Sequence, residues 1–146
     1  MKFQLTIAPD SDESVHVILK KKNDLAIEIE KLCLEYNGTD KIPVYQADEV
    51  KILAFDEISY LTVIDNKIYA IDTLGKQYLV KMRLYEIEQL LPSYFIKINK
   101  SAIANERQIA KFKASFSGAV DVVFKCGHTD YVSRRCFSEI KRRYQL

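Results

Sequence analysis

The side chains most open to use in chemistry are the cations of the last third of the chain. Residues 97–146 carry 11 Lys and Arg against 4 Asp and Glu, net +7, whereas residues 1–96 carry 11 against 16, net −5. Lys100 stands directly before Ser101, and Arg134-Arg135 opens a run that closes with Lys141, Arg142 and Arg143. An arginine fork bonds a guanine edge through two donors, and a lysine serves a base edge or a phosphate. Clustered cations also release counterions from a phosphate backbone, so the asymmetry suits a polyanion; on charge alone, a solvated basic face explains it equally well.

Other chemistries find little support. His16 and His128 lie far apart, and there is no phosphate-binding glycine loop or nucleophile elbow. Cys126-Gly127-His128 with Cys136 is the nearest approach to a metal set, but its spacing matches no closed zinc motif. The pairs Asp48-Glu49 and Asp56-Glu57 read first as solvated acids on loops, with a two-metal nuclease site as the alternative. The expectation is therefore no catalytic residue, no metal, no cofactor and no small-molecule substrate. The three cysteines, Cys33, Cys126 and Cys136, are an odd set for a disulfide framework and read as free thiols. Without an apolar run of about 20 residues or a signal-peptide pattern, the expected location is the cytoplasm.

The elements that must position these cations are short. Phe3 to Ile7 and Val15 to Leu19 read as two strands around the turn formers Pro9, Asp10, Ser11 and Asp12. A helix follows, capped by Asn23 or Asp24 and stopped by Asn37-Gly38, with Leu25, Ile29, Leu32 and Tyr36 as its packed stripe and Cys33 as a small core residue beside it. A connecting stretch leads to a boundary near Gln46 to Glu49, which divides a short α/β extension, 1–46, from a main domain, 47–146.

In the main domain the period becomes two. Strands are expected over Val50 to Phe55, Ile58 to Ile64, Lys67 to Ile71 and Gln77 to Val80, with tight turns at Asp65-Asn66 and Leu74-Gly75. A short helix with Leu84, Ile87 and Leu91 on its buried face ends at Pro92. Three more strands, Ile109 to Phe116, Ala119 to Phe124 and Thr129 to Val132, are separated by glycine turns. The last helix has Ser133 as its N-cap, an apolar stripe of Phe137, Ile140 and Tyr144, and a basic remainder. Phe112, Phe116, Phe124 and Tyr131 could stack on unpaired bases, although aromatics alternating along strands are more often core.

Between these strands stands Phe95-Ile-Lys-Ile-Asn-Lys-Ser101, followed by Ala104-Asn105 and, later, Val132-Ser-Arg-Arg135. Taken in order with Ile58-Ser-Tyr60 and Leu84-Tyr-Glu-Ile-Glu-Gln-Leu-Leu91, these blocks make the chain from about Val50 to Leu146 resemble the LytTR-type DNA-binding domains of bacterial transcription regulators. That family favours Arg where Lys97 stands, His where Asn99 stands and Val where Ala104 stands. The resemblance implies a mostly β fold with α elements: an elongated sandwich of small antiparallel sheets, here preceded by the short α/β extension. It also implies a dimer, or two copies, on promoter repeats of double-stranded DNA, read by loops in the major groove. Carried over residue by residue, the contacts fall near Lys67, Lys100 and Arg135, with Arg134 beside them.

Ser101, Asn99 and Asn105 belong to the same block, and for Ser101 and Asn105 closing a turn is at least as good a reading as touching a base. Arg134 and Arg135 begin a helix, where cations meet the wrong end of its dipole at a cost of about 0.3–1 kcal/mol, an inconsistency that suits an anionic partner. Arg142 and Arg143 are expected to be phosphate clamps. With so few residues before the match, no receiver domain is expected, and control would come from elsewhere, for which a restraining membrane protein is one possibility. The extension would serve dimerisation or regulation. The rival reading is a protein-interaction module whose basic face docks an acidic partner or an anionic membrane.

Overall fold

The computed structural model describes residues 1–145, and Leu146 lies outside them. Three helices and ten strands follow the order α1 (Asp24–Asn37), β1 (Lys41–Gln46), β2 (Glu49–Ala54), β3 (Ile58–Ile64), β4 (Lys67–Asp72), β5 (Gln77–Val80), α2 (Leu84–Leu90), β6 (Phe95–Asn99), β7 (Ala102–Asn105), β8 (Ile109–Ala114), β9 (Val120–Phe124), β10 (Thr129–Val132) and α3 (Arg134–Tyr144). Short 3-10 turns at Phe55–Glu57 and Glu106–Gln108 lead into β3 and β8. Seven strands form one sheet in the order β2-β1-β5-β4-β3-β7-β6, and β10-β9-β8 form a second, with every pairing antiparallel. The expected mostly β fold with helices is the observed one, although one of its sheets is larger than the small sheets expected.

Alternation along the strands builds two cores, one on each face of the large sheet. Leu61, Ile68, Ala70, Phe95 and Ile103 face α1 and α2, where they meet Ile27 and Ile87. Their neighbours Tyr60, Ile71, Ile96, Ala102 and Ala104 face the small sheet and α3, where they meet Val122, Phe124, Val132 and Ile140. Covered on both sides, β7 is buried along its whole length, which explains its small Ala-Ile-Ala-Asn sequence.

The N-terminal part departs from expectation in three ways. Phe3 to Ile7 and Val15 to Leu19 form no strands; the chain there is irregular, with only a turn closed by the Ser11 amide on the Ala8 carbonyl at 3.0 Å. Alternation alone does not make a strand without a partner for its backbone. Residues 41–46 are a strand, not a connector: β1 pairs with β2 from Lys41↔Ala54 to Gln46↔Glu49 and joins β5 at Tyr45↔Leu79. The boundary expected after Gln46 thus falls in the turn of a hairpin within the large sheet.

Third, α1 has the expected ends but not the expected packed face. Asn23 accepts the Ala26 amide at 3.1 Å, and Gly38, at φ 70°, donates back to Glu35 and Leu34. Yet Ile27 is its buried residue, while Leu25, Leu32 and Tyr36 are exposed. Two apolar stripes run along this helix; the one that carries Ile27 joins the core, and polar ties flank it, with Lys31 reaching Asp56 at 3.3 Å, Glu28 reaching Arg107 at 3.0 Å and Glu30 accepting the Ser93 amide at 2.6 Å. No helix among the described residues is long and apolar enough to cross a membrane.

Candidate nucleic-acid interface

Three segments meet at one end of the large sheet. The first is the β3–β4 turn, where Asp65 and Asn66 adopt φ 50° and 64°, the left-handed pair that a two-residue hairpin requires. This turn places Lys67, which is exposed, at the hairpin tip opposite Ile64. The second is the β6–β7 turn, carrying exposed Lys100; it is tied to the first strand pair by the Val63 amide, which donates to the Ser101 carbonyl at 2.9 Å. The third is the junction of β10 with α3. There the Ser133 amide donates to the Ile98 carbonyl at 2.9 Å, and the Ser133 side chain caps the helix by accepting the Cys136 amide at 3.2 Å.

Asn99 fastens the second segment to the third. It is 1% exposed, its Oδ1 accepts the Ser101 amide at 2.8 Å, and its Nδ2 donates to the Tyr131 carbonyl at 2.9 Å. Asn105, equally buried, donates to the Ile58 carbonyl at 2.9 Å and accepts the Arg107 amide at 3.0 Å, capping the turn that follows. Both asparagines lie beneath the surface as pins, with Ser101 half-buried above them. Asp130, beside Asn99, is pushed above the usual carboxylate range by burial, against the opposing pull of the Tyr131 amide and Asn99.

Lys100 and Arg135 come together on the walls of a groove of about 880 Å³ between β6 and α3, with Arg142 further along it. Lys67 lines a separate depression of about 400 Å³ with Lys81 and Arg83, which the sequence reading missed. The signal was available, because β5 runs antiparallel to β4 and returns the chain to the end where Lys67 sits. Among the described residues Lys67, Lys81, Arg83, Lys100, Arg134 and Arg135 have no ion-pair partner, and all are exposed.

Three other cations near the groove are engaged. Lys97 reaches Glu88 at 3.6 Å and Arg142 reaches Glu139 at 3.1 Å. Arg143 points away from the loop end, to Glu106 at 3.6 Å and to the Ser93 carbonyl. Glu106 also takes Lys22 at 2.8 Å and the Tyr144 hydroxyl, so this carboxylate gathers α3 and the lead-in to α1. Burial holds Lys22 below the ordinary lysine value despite the opposing pull of Glu106.

The aromatics divide as well. Phe124 stacks on Tyr60 with ring centroids 4.4 Å apart, and Phe112 packs on Phe137 at 5.8 Å, so both serve the core. Phe116 and Tyr131 are exposed. The cysteines are free, with Cys126 and Cys136 packed against the core under the small sheet and Cys33 half-buried on α1.

The family profile of the LytTr DNA-binding domain matches residues 48–145. No curated protein matches the chain. Among solved structures, the chain is similar to the LytTr DNA-binding domain of a Bacillus cereus protein described as a methyl-accepting/DNA response regulator. The identity is 22% and the TM-score 0.67, covering 73% of this chain and 98% of that one, which is a likeness of fold. With two-thirds of the chain matched by the profile and a fold of the same build, this chain belongs to the LytTR family of DNA-binding domains, a family of transcription regulation rather than of enzymes.

Proposed function

We propose that the chain is a sequence-specific regulator that reads paired promoter repeats of double-stranded DNA through the three joined segments. The observation that carries this reading is the convergence of exposed, unpaired cations on loops at one end of the sheet, with their backbones pinned to one another. A rigid turn places a cation in a groove without the ordering cost that a free loop would add. Lys100 and Arg135 then serve base edges from opposite walls of one groove, and Lys67 enters from the neighbouring hairpin tip. Arg134, Lys81 and Arg83 hold phosphates, with Arg142 along the flank. Asn99, Ser101 and Asn105 set the shape of the loops rather than touch bases.

A selection of binding sites from random duplex, followed by gel shifts on the selected sequence, tests this. Replacing Lys100 or Arg135 with Ala should lower specific affinity by about 1–3 kcal/mol and relax preference at one base position each. Replacing Lys81 or Arg83 should weaken all sequences alike and flatten the salt dependence by about one unit each. A chain that selects no sequence, or whose selected sequence is bound equally well after both Lys100→Ala and Arg135→Ala, would overturn the proposal.

A further inference from the structure

The N-terminal segment leaves an apolar surface that no other described residue covers. Phe3, Leu5, Ile7, Val15 and Ile18 are between 62% and 96% exposed, and on α1 Leu32 and Tyr36 are 65% and 81% exposed. The two regions are continuous, since Val15, Leu32, Cys33 and Tyr36 line one shallow groove of about 840 Å³. With Val17 and Leu25, the exposed apolar residues offer an area on the order of 1,000 Å², which matches the roughly 800 Å² that each partner contributes to a stable interface.

We infer that this surface is a dimerisation face whose occupant is a second copy of the chain, joined by antiparallel pairing of Val15–Leu19 with itself about Val17. Register and charge argue for this occupant. Centred on Val17, the pairing sets Val15 opposite Leu19 and Val17 opposite itself on one face, with His16 opposite Ile18 on the other; a slip of one residue would set Leu19 against His16 or Ser14. The same register sets Glu13 opposite Lys21 at both ends, and among the described residues neither has an ion-pair partner within the chain.

The pairing also explains why a segment with strand alternation forms no strand in one chain. A lone hairpin is marginal, whereas two copies supply a four-stranded sheet, with Phe3–Ile7 outermost and the exposed stripe of α1 to pack against. A two-fold contact of this kind is closed and self-complementary. It extends the paired-site reading by naming what joins the two copies, but it is measured without DNA.

Sedimentation equilibrium of the full chain, free of DNA, is the test. The expected mass is twice the 16.9 kDa of one chain. Val17→Pro removes a central strand donor, and Val15→Glu charges the face that lines the groove; each should return the single-chain mass, with the domain still folded by circular dichroism. Glu13→Lys or Lys21→Glu alone should raise the dimer dissociation constant about tenfold, and the double exchange should restore it to within about threefold.

A monomeric wild type overturns the inference, including one that stays monomeric yet floats with anionic vesicles. So does a dimer indifferent to Val17→Pro and Val15→Glu, or a charge exchange without rescue. A dimer that selects no DNA sequence would instead sink the functional proposal and leave the interface standing. A monomer that still shifts a single half-site would do the reverse.

Discussion

The Asn99 side chain spans from the Ser101 amide, at 2.8 Å, to the Tyr131 carbonyl, at 2.9 Å, so a single buried residue sets the spacing between the turn of Lys100 and the strand that leads to Arg135. Asn99→Ala leaves both backbone groups unsatisfied in a buried site, at a cost of about 1–3 kcal/mol. It should therefore lower the urea midpoint and also weaken specific DNA binding while Lys100 and Arg135 are still present. Asn99→Asp keeps the acceptor for Ser101 but loses the donor to Tyr131 and brings a second carboxylate near Asp130, which lay 3.4 Å from the lost donor. It should be at least as destabilising below DNA saturation. Equal affinity for the selected site in wild type and Asn99→Ala would show that the spacing is held by other contacts.

Arg142 and Arg143, adjacent in sequence and alike in type, should behave differently. Arg142 is 75% exposed at its side chain and, among the described residues, pairs only with Glu139 across one turn of helix, a contact worth a few tenths of a kcal/mol. It is free to turn to a phosphate, and Arg142→Ala should flatten the salt dependence of DNA binding by about one unit. Arg143 is tied to Glu106, whose side chain is 7% exposed. Arg143→Ala should leave the salt slope nearly unchanged and cost about 1 kcal/mol of stability, limited because Lys22 remains beside Glu106. Equal salt slopes for the two variants would show that Arg143 leaves Glu106 when DNA binds.

These two residues mark what the sequence revealed and what it did not. Local rules placed the turn at Asp65-Asn66, the cap at Ser133 and the strands from Val50 to Val80 and from Ile109 to Val132, because each depends on residues adjacent in the chain, but they did not assign β6 and β7 as strands. The basic character of α3 was legible, but the direction of one arginine depends on Glu106, 37 positions earlier in the sequence, and no periodicity reports that. The same limit applies to α1, where Ile27 rather than Leu25 or Leu32 is buried because partners on β6, β7 and their turns choose the face. Lys81 and Arg83 were passed over because they gather with Lys67 only once β5 folds back along β4. The segments 3–7 and 15–19 show the reverse error, in which a correct local pattern lacks the partner that would make it a strand.

The β4–β5 turn rests against the small sheet through Gly75 and His128. Gly75 has φ +86°, and a Cβ there would lie 3.1 Å from His128 Nε2. The ring cannot easily retreat, because its Nδ1 is bonded to the Tyr60 hydroxyl at 2.9 Å. Gly75→Ala should therefore cost the left-handed penalty of about 1–2 kcal/mol plus the strain of moving the imidazole. Gly118, at φ +82° with open space around its would-be Cβ, serves as the control. Gly118→Ala should cost the backbone penalty alone. Comparing urea midpoints of the two variants isolates the contact, and equal losses would mean that His128 yields without cost.

Tyr60 should make the fold sensitive to alkali. Burial, aided by the negative charge available to Cys126 and Asp130, raises its pKa from 10.0 to about 12. A raised pKa means that the native state keeps the proton where the unfolded chain has lost it, so the stability is fully present below pH 10 and is lost as pH climbs toward 12. At about 1.4 kcal/mol per pH unit, the loss over that window is on the order of 2–3 kcal/mol. Tyr60→Phe preserves the stack on Phe124 but loses the bond to His128, so at neutral pH it should be less stable by about 1 kcal/mol. It has no phenol to ionise, and its stability should fall less steeply above pH 10, so the two curves should cross at about pH 10.5–11 and the variant should be the more stable of the two by pH 12. Burial also raises Tyr94 and Tyr144, so the variant keeps a residual slope. Urea midpoints of both proteins measured from pH 9 to 12 check this: parallel decline would mean that Tyr60 ionises as readily in the folded protein as in the unfolded one.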